Sequence, residues 1–136
     1  LFALMAEEPA PSEAERIRLV SAVIHSETGE APHAKLTLAI DGKEYVIESD
    51  GSGPVDAAFK AIEALVHSGA ELVLYSVNAI TQGTDAQGEV TVRLSKGGRI
   101  VNGLGADTDI IVASIKAYIN ALNKLSHDAV RINPQL

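Results

Sequence analysis

The chain has 136 residues, 46% of them hydrophobic, and its 18 acidic against 11 basic side chains leave a net charge of −7. That length and apolar content fit one domain with a real core and exclude a disordered chain, while the acidic balance and 4% aromatic content argue against a nucleic-acid surface, which needs a basic face. The absence of cysteine removes disulfide and thiolate chemistry and fits a reducing, cytoplasmic setting, and no apolar run reaches the roughly 18–20 residues that cross a bilayer.

Residues 1–15, LFALMAEEPAPSEAE, read as a linker from a longer protein, stiffened by Pro9 and Pro11. A domain over 16–126 follows, with a first unit over 16–69, a second over 70–126, and a tail over 127–136. Residues 17–26 alternate loosely and predict a strand, closed by the turn-like Ser26-Glu27-Thr28-Gly29-Glu30. A second strand spans 35–40, with Leu36, Leu38 and Ile40 on one face. Asp41-Gly42 then signals a tight hairpin, and a third strand returns over 43–49. Val55, Ala58, Phe59, Ile62, Leu65 and Val66 recur at helical spacing and predict a helix over 54–67, with Pro54 in its first turn and Gly69 as its stop.

The second unit repeats that order: a strand over 70–80, a polar loop, a strand over 89–95, a Gly97-Gly98 hairpin, and a return over 99–103. A second helix follows over 108–125, with Ile111, Ile115, Tyr118, Ile119 and Leu122 as its apolar stripe and Asp107 or Thr108 as its cap. The expected fold is α+β: two pseudo-symmetric βββα units, with antiparallel strands and two helices packed on the sheets.

Each unit carries a Gly-x-Gly at its expected helix start, Gly51-Ser52-Gly53 and Gly103-Leu104-Gly105, with Asp56 and Asp107 close by. Backbone N–H groups at a helix N-terminus favour an anion. A zwitterion fits this pattern, its carboxylate on the N–H groups and its ammonium on an aspartate. Tight turns and aspartate caps account for the same residues without a ligand. The polar loop Thr81–Gly88 reads as a lid, a subunit contact or a solvated connection. Tyr75 reads either as the cap of an apolar ligand pocket or as a core tyrosine. His25, His33, His67 and His127 share no common metal-ligand spacing, Glu27, Glu30 and Asp41 read as surface charge, and no serine sits in a nucleophile-elbow setting. The sequence therefore carries no catalytic constellation and no metal or cofactor signature; it reads as a binding or regulatory module.

The segments GSGPVDAAFKAI, LYSVNAITQGTDAQGEVTVRL and GRIVNGLGADTDIIVASIKAYINALNKL resemble, in order and with their glycines in place, the C-terminal regulatory domain of the 2-isopropylmalate synthase family. The resemblance runs from about His25 to Leu125, and LFALMAEEP is similar to the end of the preceding helical linker. It implies a leucine-binding, feedback-inhibitory and homodimerising domain. The enzyme condenses acetyl-CoA with 2-oxoisovalerate through a divalent metal in an N-terminal TIM barrel, a part outside this sequence. It further implies an effector site at Gly51, Ser52, Gly53, Val55, Leu72, Tyr75, Ala79, Ala106 and Asp107. Citramalate synthases carry a closely similar domain, for which isoleucine would be the effector; a structural dimerisation domain without an effector is the remaining reading.

Overall fold

Eight elements form where the hydrophobic periodicity changes. In order they are β1 (Ile17–His25), β2 (His33–Ile40), β3 (Lys43–Asp50), α1 (Pro54–Val66), β4 (Glu71–Asn78), β5 (Gly88–Lys96), β6 (Arg99–Asp107) and α2 (Ile110–Ile132). The computed structural model describes residues 16–78 and 87–132. The linker expected over 1–15, Ala79, most of the polar loop and the last four residues of the tail lie outside the described residues.

The strands make two three-stranded antiparallel sheets, ordered β1-β2-β3 and β4-β5-β6. Each sheet is followed by its own helix, which is the expected α+β pair of βββα units. The tight hairpins β2–β3 and β5–β6 each use two left-handed residues, Asp41 (φ 53°) with Gly42 (φ 84°) and Gly97 (φ 58°) with Gly98 (φ 86°), whose twist suits a two-residue connection. The duplication extends to an irregularity. The first strand of each unit is bulged at the same place, between Leu19 and Ser21 and between Leu72 and Leu74.

Alternation decides which sheet faces are buried. Ala34, Leu36 and Leu38 of β2, and Val90, Val92 and Leu94 of β5, are wholly buried. Helix α1 lies on β2 and β3, α2 lies on β5 and β6 and reaches β1, and the two helices meet. Phe59 stacks on Tyr118 at that contact, with ring centroids 4.3 Å apart, and the Tyr118 hydroxyl donates to Glu63 at 2.8 Å. Burial, and then that carboxylate, push the Tyr118 phenol above its ordinary range.

Helix α2 also ties the sheets together through their edges. The Asn123 side chain accepts from the Ile17 N–H at 2.8 Å and donates to the Ile17 carbonyl at 2.9 Å. Along β6, Asn120 accepts from the Leu104 N–H at 3.0 Å and Lys124 donates to the Asn102 carbonyl at 2.6 Å. Backbone groups that an edge strand would expose to another chain are thus occupied by side chains of α2.

Several expectations change. The second Gly-x-Gly is not a helix start: Gly103 and Gly105 lie inside β6, buried and turned toward α2. A Cβ on Gly105 would collide with the Ala113 carbonyl and the Ala117 nitrogen, and one on Gly103 with the Ala117 carbonyl and Ala121 nitrogen. These glycines exist so that the helix backbone can approach the strand. Helix α2 begins at Ile110 rather than 108 and continues past 125 to Ile132, into the segment read as a tail. Helix α1 ends through His67, in the left-handed conformation at φ 51°, whose N–H donates to the Glu63 carbonyl at 2.8 Å; Gly69 follows two residues later. Among the described residues no helix is long and apolar enough to cross a membrane.

Candidate functional site

The chain leaves β3 through Gly51, whose N–H donates to the Pro32 carbonyl at 3.1 Å. A side chain there would strike the Ala57 backbone, so glycine is required for the strand to pass so close to the helix start. Ser52 is exposed, and its N–H and hydroxyl both reach Asp56 Oδ2, at 2.9 and 3.3 Å. The Ser52 N–H, and then the Lys60 ammonium 3.3 Å away, hold the Asp56 carboxyl below its usual range.

Gly53 is the N-cap of α1, and it differs from Gly51 in having no steric reason to be glycine. Its φ of −154° is ordinary extended backbone, and a Cβ would point into open space. No side chain caps this helix. Pro54 has no N–H, and the first helical bond runs from the Ala57 N–H to the Gly53 carbonyl at 2.9 Å. The N–H groups of Val55 and Asp56 are therefore left over, at the positive end of the helix dipole.

The start of α2 is closed instead. Asp109 caps it, accepting from the Ile111 N–H at 2.8 Å; the expected caps, Asp107 and Thr108, lie outside the helix. Asp107 accepts from the Asp109 N–H at 3.0 Å and from the Lys116 ammonium at 3.0 Å, and these two, in that order, lower its pKa. Ala106 is exposed on the strand position next to buried Gly105, so it faces away from the helices. The two pseudo-equivalent helix starts are chemically unlike. Both carry an aspartate, but Asp109 accepts from a first-turn N–H of α2, that of Ile111, whereas Asp56 accepts from Ser52, ahead of α1, and leaves the first-turn donors of that helix open.

Leu72 and Tyr75 lie on the inner side of β4, opposite Leu94 and Val92 of β5. They are 41% and 37% exposed, and Val77 beyond them is 48% exposed, because among the described residues neither helix lies over β4. The matching β1 residues Leu19, Ala22 and Ile24 are half-buried, since α2 reaches that strand. Tyr75 spans the two units. Its ring meets Phe59 of α1 edge-on, 6.1 Å between centroids, and its hydroxyl lies 2.7 Å from Ser114 Oγ. Ser114 already donates to the Ile110 carbonyl at 2.8 Å, so Tyr75 donates to Ser114.

The structure thus groups Gly51, Ser52 and Gly53 at one open helix end, and Val55 on the same helix one turn before Phe59, the residue that touches Tyr75. Leu72 shares the inner face of β4 with Tyr75. Asp107 stands at the second helix start, Ala106 faces outward, and Ala79 lies outside the described residues. Phe59 and Ser114 were not singled out as site residues in the sequence. Phe59 reads there as helix stripe, and the only signal of Ser114 is a polar residue among apolar ones. Two open clefts among the described residues, one of about 480 Å³ near Arg16, His67, Lys96 and Arg99 and one of about 300 Å³ near Arg18, Leu104 and Asn120, are lined by none of the expected effector residues.

A family model described as the LeuA allosteric (dimerisation) domain matches residues 1–126. The chain is 65% identical to a 2-isopropylmalate synthase of Aromatoleum aromaticum, over 98% of this chain and 26% of that protein. It is 60% identical to proteins of the same name from Nitrosospira multiformis and Thiobacillus denitrificans, over 100% of this chain and 26% and 27% of theirs. The chain spans about a quarter of the length of these curated relatives.

Proposed function

The chain belongs to the LeuA allosteric (dimerisation) domain family, and from that premise we propose that it is the leucine-binding regulatory and dimerisation part of a cytoplasmic 2-isopropylmalate synthase. The longer protein would condense acetyl-CoA with 2-oxoisovalerate in an N-terminal barrel. The divalent metal of that reaction would belong to the barrel, and leucine bound here would inhibit it.

The observation that carries the proposal is Gly53. An N-cap position gains most from Asn, Asp or Ser, with Thr and Gly a few tenths of a kcal/mol behind. Here no neighbouring atom requires glycine and no side chain bonds the first-turn N–H groups, which leaves them to a ligand. The vacancy suits a free carboxylate: it meets the Val55 and Asp56 N–H groups and the positive helix end, while a branched side chain lies against Val55, Tyr75 and Leu72. Burying a leucine-sized side chain contributes roughly 1.5–3 kcal/mol, so the charged contacts must supply the rest. Asp56 and Asp107 are already bonded within the chain and hold the two helix starts in shape.

A second copy of the chain would dock on the uncovered inner face of β4, which carries Leu72, Tyr75 and Val77. Effector and subunit packing would then be read by the same residues. An effector that binds one arrangement better than another shifts the equilibrium by that difference, typically about 1–3 kcal/mol.

Calorimetric titration of the 136-residue chain with leucine, isoleucine, valine and alanine tests this. Saturable binding that prefers leucine, and is lost at least tenfold in Gly53→Asp, is the expected result. A preference for isoleucine would move the parent to the citramalate synthases. No heat with any of the four, from folded chain, would leave a dimerisation domain without an effector.

A further inference from the structure

The turn between β1 and β2 gathers a second set of chemistry-bearing side chains, none of them shared with the helix starts. Here the chain reads His25-Ser26-Glu27-Thr28-Gly29-Glu30. The Glu30 N–H donates to the Glu27 carbonyl at 3.0 Å, and Gly29 takes φ 89°, so the backbone reverses and sets Glu27 and Glu30 side by side. His25, the last residue of β1, lies with its Nε2 3.3 Å from Glu27 Oε1. One imidazole nitrogen and one oxygen from each carboxylate all fall within 4.8 Å of one another.

We propose that this turn is a divalent-cation site of the zinc type, with His25 Nε2, Glu27 and Glu30 as three ligands and water completing the shell. Zinc binds imidazole nitrogen and carboxylate oxygen at about 2.0–2.2 Å in tetrahedral geometry, which places ligand atoms about 3.3–3.6 Å apart. The three groups are exposed, so small side-chain rotations close the remaining gap without moving the backbone. The nitrogen ligand favours zinc or its transition-metal neighbours over magnesium and calcium, which prefer oxygen alone. His33 stands opposite His25 across the ladder but is not a ligand: its Nδ1 lies 2.6 Å from Asp50 and its Nε2 2.7 Å from Glu48, so both nitrogens are engaged. The spacing His-x-Glu-x-x-Glu resembles no common metal signature; the turn, not the spacing, brings the ligands together.

Titration of the 136-residue chain with zinc sulfate, followed by calorimetry and by the His25 ring signals in NMR, decides the matter, with magnesium as the comparison. One saturable zinc site that shifts His25, raises the melting temperature and weakens at least tenfold in both His25→Gln and Glu30→Gln is the expected result, with His67→Gln unchanged. Absence of saturable zinc binding, or binding that survives both ligand substitutions, overturns the proposal. All three side chains are exposed in a surface turn, so the variants keep their fold, which circular dichroism checks.

Discussion

Glycine serves two opposite purposes in this chain. At Gly51, Gly103 and Gly105 the residue is demanded by backbone atoms that a Cβ would strike. At Gly53 no neighbouring atom would meet a Cβ, and no side chain bonds the helix's first N–H groups. An acidic residue there would bond the open N–H groups and meet the dipole, together worth about 0.5–1 kcal/mol. Gly53→Asp is therefore expected to leave the melting temperature unchanged or raise it slightly while weakening leucine binding at least tenfold. A variant that loses both stability and binding would show instead that Gly53 serves the fold. His33 offers a test of a different kind. Hydrogen bonds to Asp50 first, and Glu48 second, raise its pKa above 6.5. A group whose folded pKa is raised contributes stability that is complete below about pH 6.5 and is lost as pH rises through the folded value. Melting temperatures followed upward from about pH 6 should show that decline, and Asp50→Asn with Glu48→Gln should flatten it.

Elements in the two units match in order and differ in reach. Helix α2 rests on glycine and alanine: Gly103 and Gly105 of β6 face Ala113, Ala117 and Ala121, spaced four apart on one side of the helix. Overpacking such a contact costs about 1–3 kcal/mol, and here the obstructing atoms are backbone, which cannot rotate away. Gly105→Ala should lower the melting temperature by several degrees, and by clearly more than Gly53→Ala, which faces open space and loses only the N-cap preference for glycine over alanine. Equal effects in thermal denaturation would contradict the close-approach reading. Much of this level was legible. Alternation in β2 and β5 and the helical stripes locate the elements, because burial on one face imposes a period on the sequence. The second Gly-x-Gly was not, because a glycine at a turn and a glycine beneath a helix look alike until the partner backbone is placed. The extension of α2 to Ile132 was likewise hidden, since His127, Asp128 and Asn133 read locally as a polar tail.

For the whole molecule, the decisive feature is that pseudo-symmetry is incomplete. Strand β1 is held by α2 through Asn123, while among the described residues neither helix lies over its counterpart β4. Leu72→Asp with Val77→Asp, at positions already exposed in the single chain, should convert a dimer to a folded monomer in sedimentation velocity. Val23→Asp, 61% exposed on the outer side of the first sheet, should leave the dimer intact, and a dimer that survives the β4 pair would place the interface elsewhere. The sequence by itself determined the duplicated βββα order, the hairpins and the family, since all three rest on local periodicity, turn chemistry and residue-by-residue likeness. Only the tertiary structure decided that one helix start is open and the other closed, that two glycines lie under a helix, and that no described helix lies over β4. Those properties depend on which backbone and side-chain atoms from distant parts of the chain arrive at the same place, and packing alone sets that.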